Sequence, residues 1–106
     1  MSFYLWVTWQ CSICKETHRG RFDIVTGWKG RKGELATDQG FSRDGITIFD
    51  SALAKQQQPS KAKPSGSKIY CDPYDSIPKL SEVLTEYMNK HYGIAAGSLV
   101  VEACQT

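Results

Sequence analysis

The sequence predicts an α+β domain: a small antiparallel or mixed sheet of about four or five strands, with one main amphipathic helix packed on a face. Three observations carry that expectation. The first segment alternates Phe3, Leu5, Val7 and Trp9 with Tyr4, Trp6, Thr8 and Gln10, which is the period of a strand. A Cys-x-x-Cys follows directly, at Cys11 to Cys14, so the chain turns there as a hairpin. Near the other end, Leu80, Val83, Leu84, Tyr87, Met88 and His91 recur at intervals of three and four, which draws one apolar stripe along a helix. At 106 residues the chain has room for one domain, residues 1–106, built around one core.

The elements follow in order. Bulky groups on both sides of residues 3–10 mark an inner strand. Residues 21–28 alternate as well, with Phe22, Ile24 and Trp28 on one face, and the Cys11 to Gly20 segment is expected to turn between these two strands. From Gly27 to Gly45 the glycines argue for loops and at most a short strand. Ile46 to Phe49 is aliphatic enough for a strand, and the Asp50 carboxylate can cap a short helix over residues 51–58 that Pro59 ends. Residues 59–67, rich in Pro, Ser, Gly and Lys, have the composition of a flexible loop or hinge. Lys68 to Cys71 reads as a short strand and Ile77 to His91 as the main helix, with Gly93 as its left-handed stop. Ser98 to Cys104 alternates as a last strand.

Net charge is only +2, but the basic residues are unevenly placed. Residues 15–32 hold six Lys and Arg against two acids, and residues 55–68 hold four Lys and no acid. Such segments suit an anionic partner, acidic protein or nucleic acid. Arg19, Arg21, Lys29, Arg31, Lys32, Lys61 and Lys63 are the expected partner-binding residues. The apolar opening Phe3 to Val7 lacks a basic leader, and no apolar run approaches the roughly 20 residues that span a bilayer. The expectation is a cytoplasmic protein that does not engage a membrane, its cysteines reduced or metal-bound rather than paired.

Two thiolates two residues apart, on a turn between strands, have the knuckle spacing by which zinc ribbons hold half a tetrahedral site. Cys11 and Cys14 are therefore the core of a candidate site for one structural zinc, with His18, Cys71 and Cys104 as candidates to complete it and His91 as a more distant one. Free cysteines that serve as small buried hydrophobes are the competing reading. Trp9-Gln10-Cys11-Ser12-Ile13-Cys14-Lys15 resembles the thioredoxin-like Trp-Cys-x-x-Cys-Lys signature with one residue inserted after the tryptophan. That resemblance implies a redox pair at a helix start. Glu16 to Gly20 carries no apolar helical stripe, which disfavours redox catalysis.

Neither a Gly-x-Ser-x-Gly elbow, a Walker loop nor a His-Glu-x-x-His pair is present. The expected function is accordingly non-enzymatic: a small adaptor or inhibitor that occupies the surface of a protein or nucleoprotein complex. Inhibitors that phages and mobile elements direct at host defence complexes, such as anti-CRISPR proteins, have this size and composition. A zinc-knuckle module that binds nucleic acid is the alternative, and a thiol oxidoreductase is the third reading.

Overall fold

Strands β1 (Phe3–Gln10), β2 (Thr17–Thr26), β3 (Gly40–Arg43), β4 (Ile46–Phe49), β5 (Ser67–Cys71) and β6 (Val100–Gln105) form a single sheet in the order β3-β4-β5-β2-β1-β6. The computed structural model describes residues 3–26, 40–54, 64 and 66–105, and the structural statements here concern those residues. All neighbours are antiparallel except β2 and β5, which are parallel. Helix α1 (Ser51–Ala54) is a single turn after β4, and α2 (Ile77–His91) lies between β5 and β6. The α+β class with a mixed sheet and the helix on one face is as the sequence predicts, with one strand more than expected. That strand, Gly40–Arg43, lies inside the glycine-rich stretch, where no alternation announces it.

Period-2 geometry sorts the side chains of β1 into two sets. Leu5, Val7 and Trp9 are buried, whereas Tyr4, Trp6 and Thr8 are only partly covered. On the buried face Leu5 pairs with Phe22 of β2, and Ile48 of β4 pairs with Ile69 of β5. The α2 stripe Leu80, Val83, Leu84, Tyr87 and Met88 completes this core, with the Tyr87 ring edge-on to Phe22 at 6.3 Å. Helix α2 forms where its sequence permits it to start: Ser76 caps it by accepting from the Lys79 N–H, and proline occupies the first turn, where its missing N–H costs nothing. Lys79 also pairs with Asp75 at 3.0 Å, and that bond holds the Asp75 carboxyl below its ordinary range.

Asp50 is more than a cap. It is completely buried, and its partners among the described residues are donors. Ala52 N–H and the Ser67 hydroxyl donate to Oδ1 at 3.0 and 3.3 Å, while the Tyr87 and Tyr92 hydroxyls donate to Oδ2 at 2.7 and 2.5 Å. An acceptor-only partner is what an ionised carboxylate offers. Burial and the adjacent Asp50 carboxylate push both tyrosine hydroxyls far above their ordinary pKa.

Several boundaries differ from the expectation, each for a local reason. Strand β2 starts at Thr17 rather than residue 21, because the turn closes within Cys11 to Glu16, where the Cys11 N–H donates to the Glu16 carbonyl at 2.9 Å. Gly93 is not in the left-handed region. The helix ends instead at Tyr92, whose backbone is extended while its N–H still bonds the Met88 carbonyl. Glycine at 93 serves close approach: a Cβ there would lie 3.0 Å from Ser12 Oγ and from Ile13 Cδ1. Of the 59–67 segment, Ser67 opens β5 and is buried, and the Pro64 carbonyl accepts from the Arg21 N–H at 3.0 Å. Residues 59–63 and 65, the 55–58 part of the expected short helix, and Trp28 lie outside the described residues. Among the described residues no helix is long and apolar enough to cross a membrane.

Removing the buried carboxylate by Asp50→Ala strands two phenol hydroxyls, each worth about 1–3 kcal/mol when left unpaired. We expect a loss of about 2–6 kcal/mol in urea unfolding, and about 1.5–3 kcal/mol for Tyr92→Phe, which deletes one bond to a charged acceptor. A loss below about 1 kcal/mol for Asp50→Ala would show that the network is dispensable.

Candidate metal centre and open sheet face

The Cys-x-x-Cys turn follows β1 without interruption. The Lys15 N–H returns to the Cys11 carbonyl at 3.0 Å, and Lys15 itself takes the left-handed conformation, φ 66°, with its Nζ donating to the Ser12 carbonyl at 2.9 Å. This wraps two amides around the first sulfur: the Ile13 and Cys14 N–H groups each donate to Cys11 Sγ at 3.4 Å. The Cys14 amide is the main reason that the Cys11 thiol is held below its ordinary pKa. The Ile13 amide, the Cys14 side chain and the Lys15 charge add to it, against the opposing effect of burial. A sulfur surrounded in this way favours the thiolate, which is the form that binds metal.

The antiparallel register of β1 and β2 sets His18 opposite Trp9, on the buried face and close to the turn. Its Nε2 lies 3.1 Å from Cys14 Sγ. The ligand atoms of Cys11, Cys14 and His18 all lie within 4.8 Å of one another, close enough to hold one metal ion. Cys11 and His18 are buried and Cys14 is exposed, so the cluster opens to solvent through one sulfur. The ring of Trp9 lies between those of His18 and Tyr92, at 5.5 and 5.3 Å. Among the described residues His18 Nδ1 and Trp9 Nε1 are buried without a hydrogen-bond partner.

The exit of α2 braces the turn from the other side. The Ser12 N–H donates to the Gly93 carbonyl at 3.0 Å and the Ala95 N–H to the Gln10 carbonyl at 2.9 Å, and Cys11 bridges Ile94. The remaining candidates do not join the cluster. Cys71 stands opposite Thr26 at the far end of β2, buried in the core, with its S–H toward the Val25 carbonyl at 3.9 Å. Burial, helped by Asp75 and Asp72, pushes its thiol up to about 11. Cys104 stands opposite Tyr4, at the end of β1 away from the turn. His91 packs its ring 4.7 Å from Tyr87, and burial lowers its pKa. Asp72 and Asp75 cap their own turn: Asp72 accepts from the Tyr74 N–H and Asp75 from the Asp72 N–H, both at 2.9 Å.

On the face away from α2, the same register lines up Tyr4 with Asp23, Trp6 with Arg21 and Thr8 with Arg19. The Arg19 guanidinium lies 3.9 Å from the centre of the Trp6 ring, and that of Arg21 lies 4.0 Å from the centre of Tyr4. Tyr4 and Trp6 meet edge to face at 6.1 Å. Arg21 also pairs with Asp23 at 2.8 Å, whereas Arg19 has no ion pair among the described residues. Beside them a cleft of about 380 Å³ is lined by Trp6, Arg19, Gly20, Arg21, Asp23, Pro64 and Gly66. Glycine at 20 is required there, because a Cβ would fall 2.6 Å from the Pro64 ring. Of the expected partner-binding residues that are described, Arg19 and Arg21 both belong to this surface. Lys29, Arg31, Lys32, Lys61 and Lys63 lie outside the described residues.

Sequence reasoning passed over Tyr4 and Trp6 as surface residues. The signal was available: β1 carries bulky groups on both sides, and one long helix can cover only one face of a sheet.

Thiol reactivity checks this placement. With metal removed at neutral pH, iodoacetamide followed by peptide mass mapping is expected to label the exposed Cys14 first and Cys71 only on unfolding. Early labelling of Cys71 would show that β5 does not bury it. No family model, no curated protein and no solved structure matches the chain.

Proposed function

We propose that this chain is a non-enzymatic binding protein, an adaptor or inhibitor, that lays the open face of its sheet against a protein or nucleoprotein partner. One structural zinc, held by Cys11, Cys14 and His18, braces the end of β1 and β2 that carries that face. The observation behind the reading is the pair of stacks, Arg19 on Trp6 and Arg21 on Tyr4, on the side of the sheet opposite the helix. Arginine and large aromatic residues are the types that dominate binding energy at interfaces. For the metal, two thiols and an imidazole are the borderline-soft donor set that zinc prefers, and the amides directed at Cys11 Sγ favour its deprotonated form.

Zinc is expected at one per chain in protein purified without chelator, measured by plasma mass spectrometry. Binding requires a neutral imidazole and two thiolates, so zinc content is expected to fall as the pH is lowered and protons compete for these ligands. The joint Cys11→Ser, Cys14→Ser variant should bind no zinc and melt at a lower temperature than the parent. An unchanged melting temperature with loss of a thiol–disulfide exchange activity would favour the oxidoreductase reading instead.

The surface reading is checked by affinity purification from the native source, comparing the parent with Arg19→Glu. A specific complex retained by the parent and lost by the variant is expected. Retention of the same complex by both would place the contact elsewhere.

A further inference from the structure

The open face has a chemistry that narrows the partner class. We infer that it binds single-stranded nucleic acid, with bases stacking along the Trp6–Arg19 and Tyr4–Arg21 layers and phosphates meeting the guanidinium edges. This inference rests on the proposed binding function and names the ligand of that same face.

Three features point to a single strand. Tyr4 and Trp6 are alternate residues of one strand, about 6.8 Å apart along it, and Arg19 and Arg21 repeat that spacing on the neighbouring strand. The result is two layers in which a flat ring already supports a flat cation. Unpaired bases stack on aromatic rings and on guanidinium planes alike, whereas a duplex keeps its base faces to itself. A guanidinium held over a ring keeps N–H donors at its edge, and these are the groups that recognise phosphate.

Charge is also arranged to suit. Arg19 is without an ion pair among the described residues, and Lys68 is exposed opposite Asp23 on the same side of the sheet. Asp23 engages Arg21 through the guanidinium Nε, which leaves its terminal nitrogens outside that contact. The acid Glu102 stands across from Trp6 on β6, so the cationic side of the layers is the β2 side, where the cleft along Pro64 and Gly66 runs. A strand would therefore follow the β1–β2 boundary. An acidic protein segment could meet the arginines, but it gives no use to the two rings they stack on diagonally.

The test uses the full chain loaded with zinc, fluorescein-labelled 12-nucleotide oligo(U) and oligo(dT), and a 12-base-pair duplex as control, read by fluorescence anisotropy between 50 and 200 mM salt. Single strands are expected to bind more tightly than the duplex, with affinity falling as salt rises, at a log–log slope of about −1.4 for two neutralised phosphates. Trp6→Ala and Arg19→Glu should each weaken binding roughly tenfold or more. Arg19 is exposed, so its variant is expected to fold as the parent does; circular dichroism and thermal melting check both variants. No single-strand binding, or binding that neither variant weakens, overturns the inference. Should a poly-glutamate peptide bind in an Arg19-dependent manner while no oligonucleotide does, the partner is an acidic protein. A cellular complex lost with Arg19→Glu but indifferent to nuclease, with no oligonucleotide binding, leaves the proposed binding function standing and removes nucleic acid as its ligand.

Discussion

The buried carboxylate of Asp50 is the interaction on which the arrangement depends. A charge taken out of water is costly unless its hydrogen-bonding capacity is met, so the chain must bring donors to it, and those donors come from places far apart in sequence. Ala52 N–H comes from the first turn after β4, the Ser67 hydroxyl from the start of β5, and the two tyrosine hydroxyls from the end of α2. Shifting any of these elements would leave a buried acceptor or a buried phenol unpaired. A purely apolar core would tolerate small displacements of the helix on the sheet; a four-donor carboxylate does not.

That constraint propagates to the Cys11–Cys14 turn. Tyr92 is both a donor to Asp50 and the last residue of the helix exit, and its ring packs on Trp9. Trp9 in turn packs on His18, whose Nε2 reaches Cys14. Beyond Tyr92 the chain is committed to passing Gly93, whose carbonyl accepts from Ser12, and Ile94, which bridges Cys11. The turn is thus fixed from two sides, by β1 and by the helix exit, before any ion arrives. Preorganisation of this kind lowers the entropic cost of gathering the ligands, while the opening at Cys14 keeps the cluster reachable.

What could be read from the sequence follows the range of the interactions. Helix α2 was legible over residues 77–91 because its apolar stripe is a local signal, and β1 because alternation is local too. Cys11, Cys14 and His18 could be grouped because a hairpin register joins them within eight residues of chain. Cys71 and Cys104 could not be placed, because their distance from the turn depends on strand order: β5 runs parallel to β2 and β6 antiparallel to β1, and both cysteines end up at the end of the β1–β2 pair away from the turn. Asp50 was legible as a cap through its neighbour Ala52 and illegible as a hub, since Tyr87 and Tyr92 lie 37 and 42 residues away. Gly93 shows the same division, a glycine rightly seen at a helix end but needed for its contact with Ser12 and Ile13 rather than for its own dihedral angle.

The open face is the complement of these constraints. Helix α2 covers one side of the sheet; on the other side Thr47 and Tyr70 are buried at the β4–β5 end, while the residues of β1 and β2 are partly exposed. Here the choice at Tyr4 and Trp6 is large and aromatic, partly covered by arginines that the sheet register delivers to them. Stacked cations shield ring faces from water while keeping their own edges wet, so the layers remain compatible with solvent, and the Arg19 layer carries no ion pair among the described residues. The contrast with Arg43 is instructive: it sits at the end of β3 and is tied down by Asp44, Glu82 and Glu86, a cation used to hold α2 to the sheet. Arg19 has rings beneath it and no acid against it among the described residues. Its guanidinium is already ordered by Trp6, so a phosphate or carboxylate that meets it gains charge-assisted hydrogen bonds without the full entropic cost of fixing a long side chain. The core, through the register it imposes on β1 and β2, is thereby also what prepares the surface.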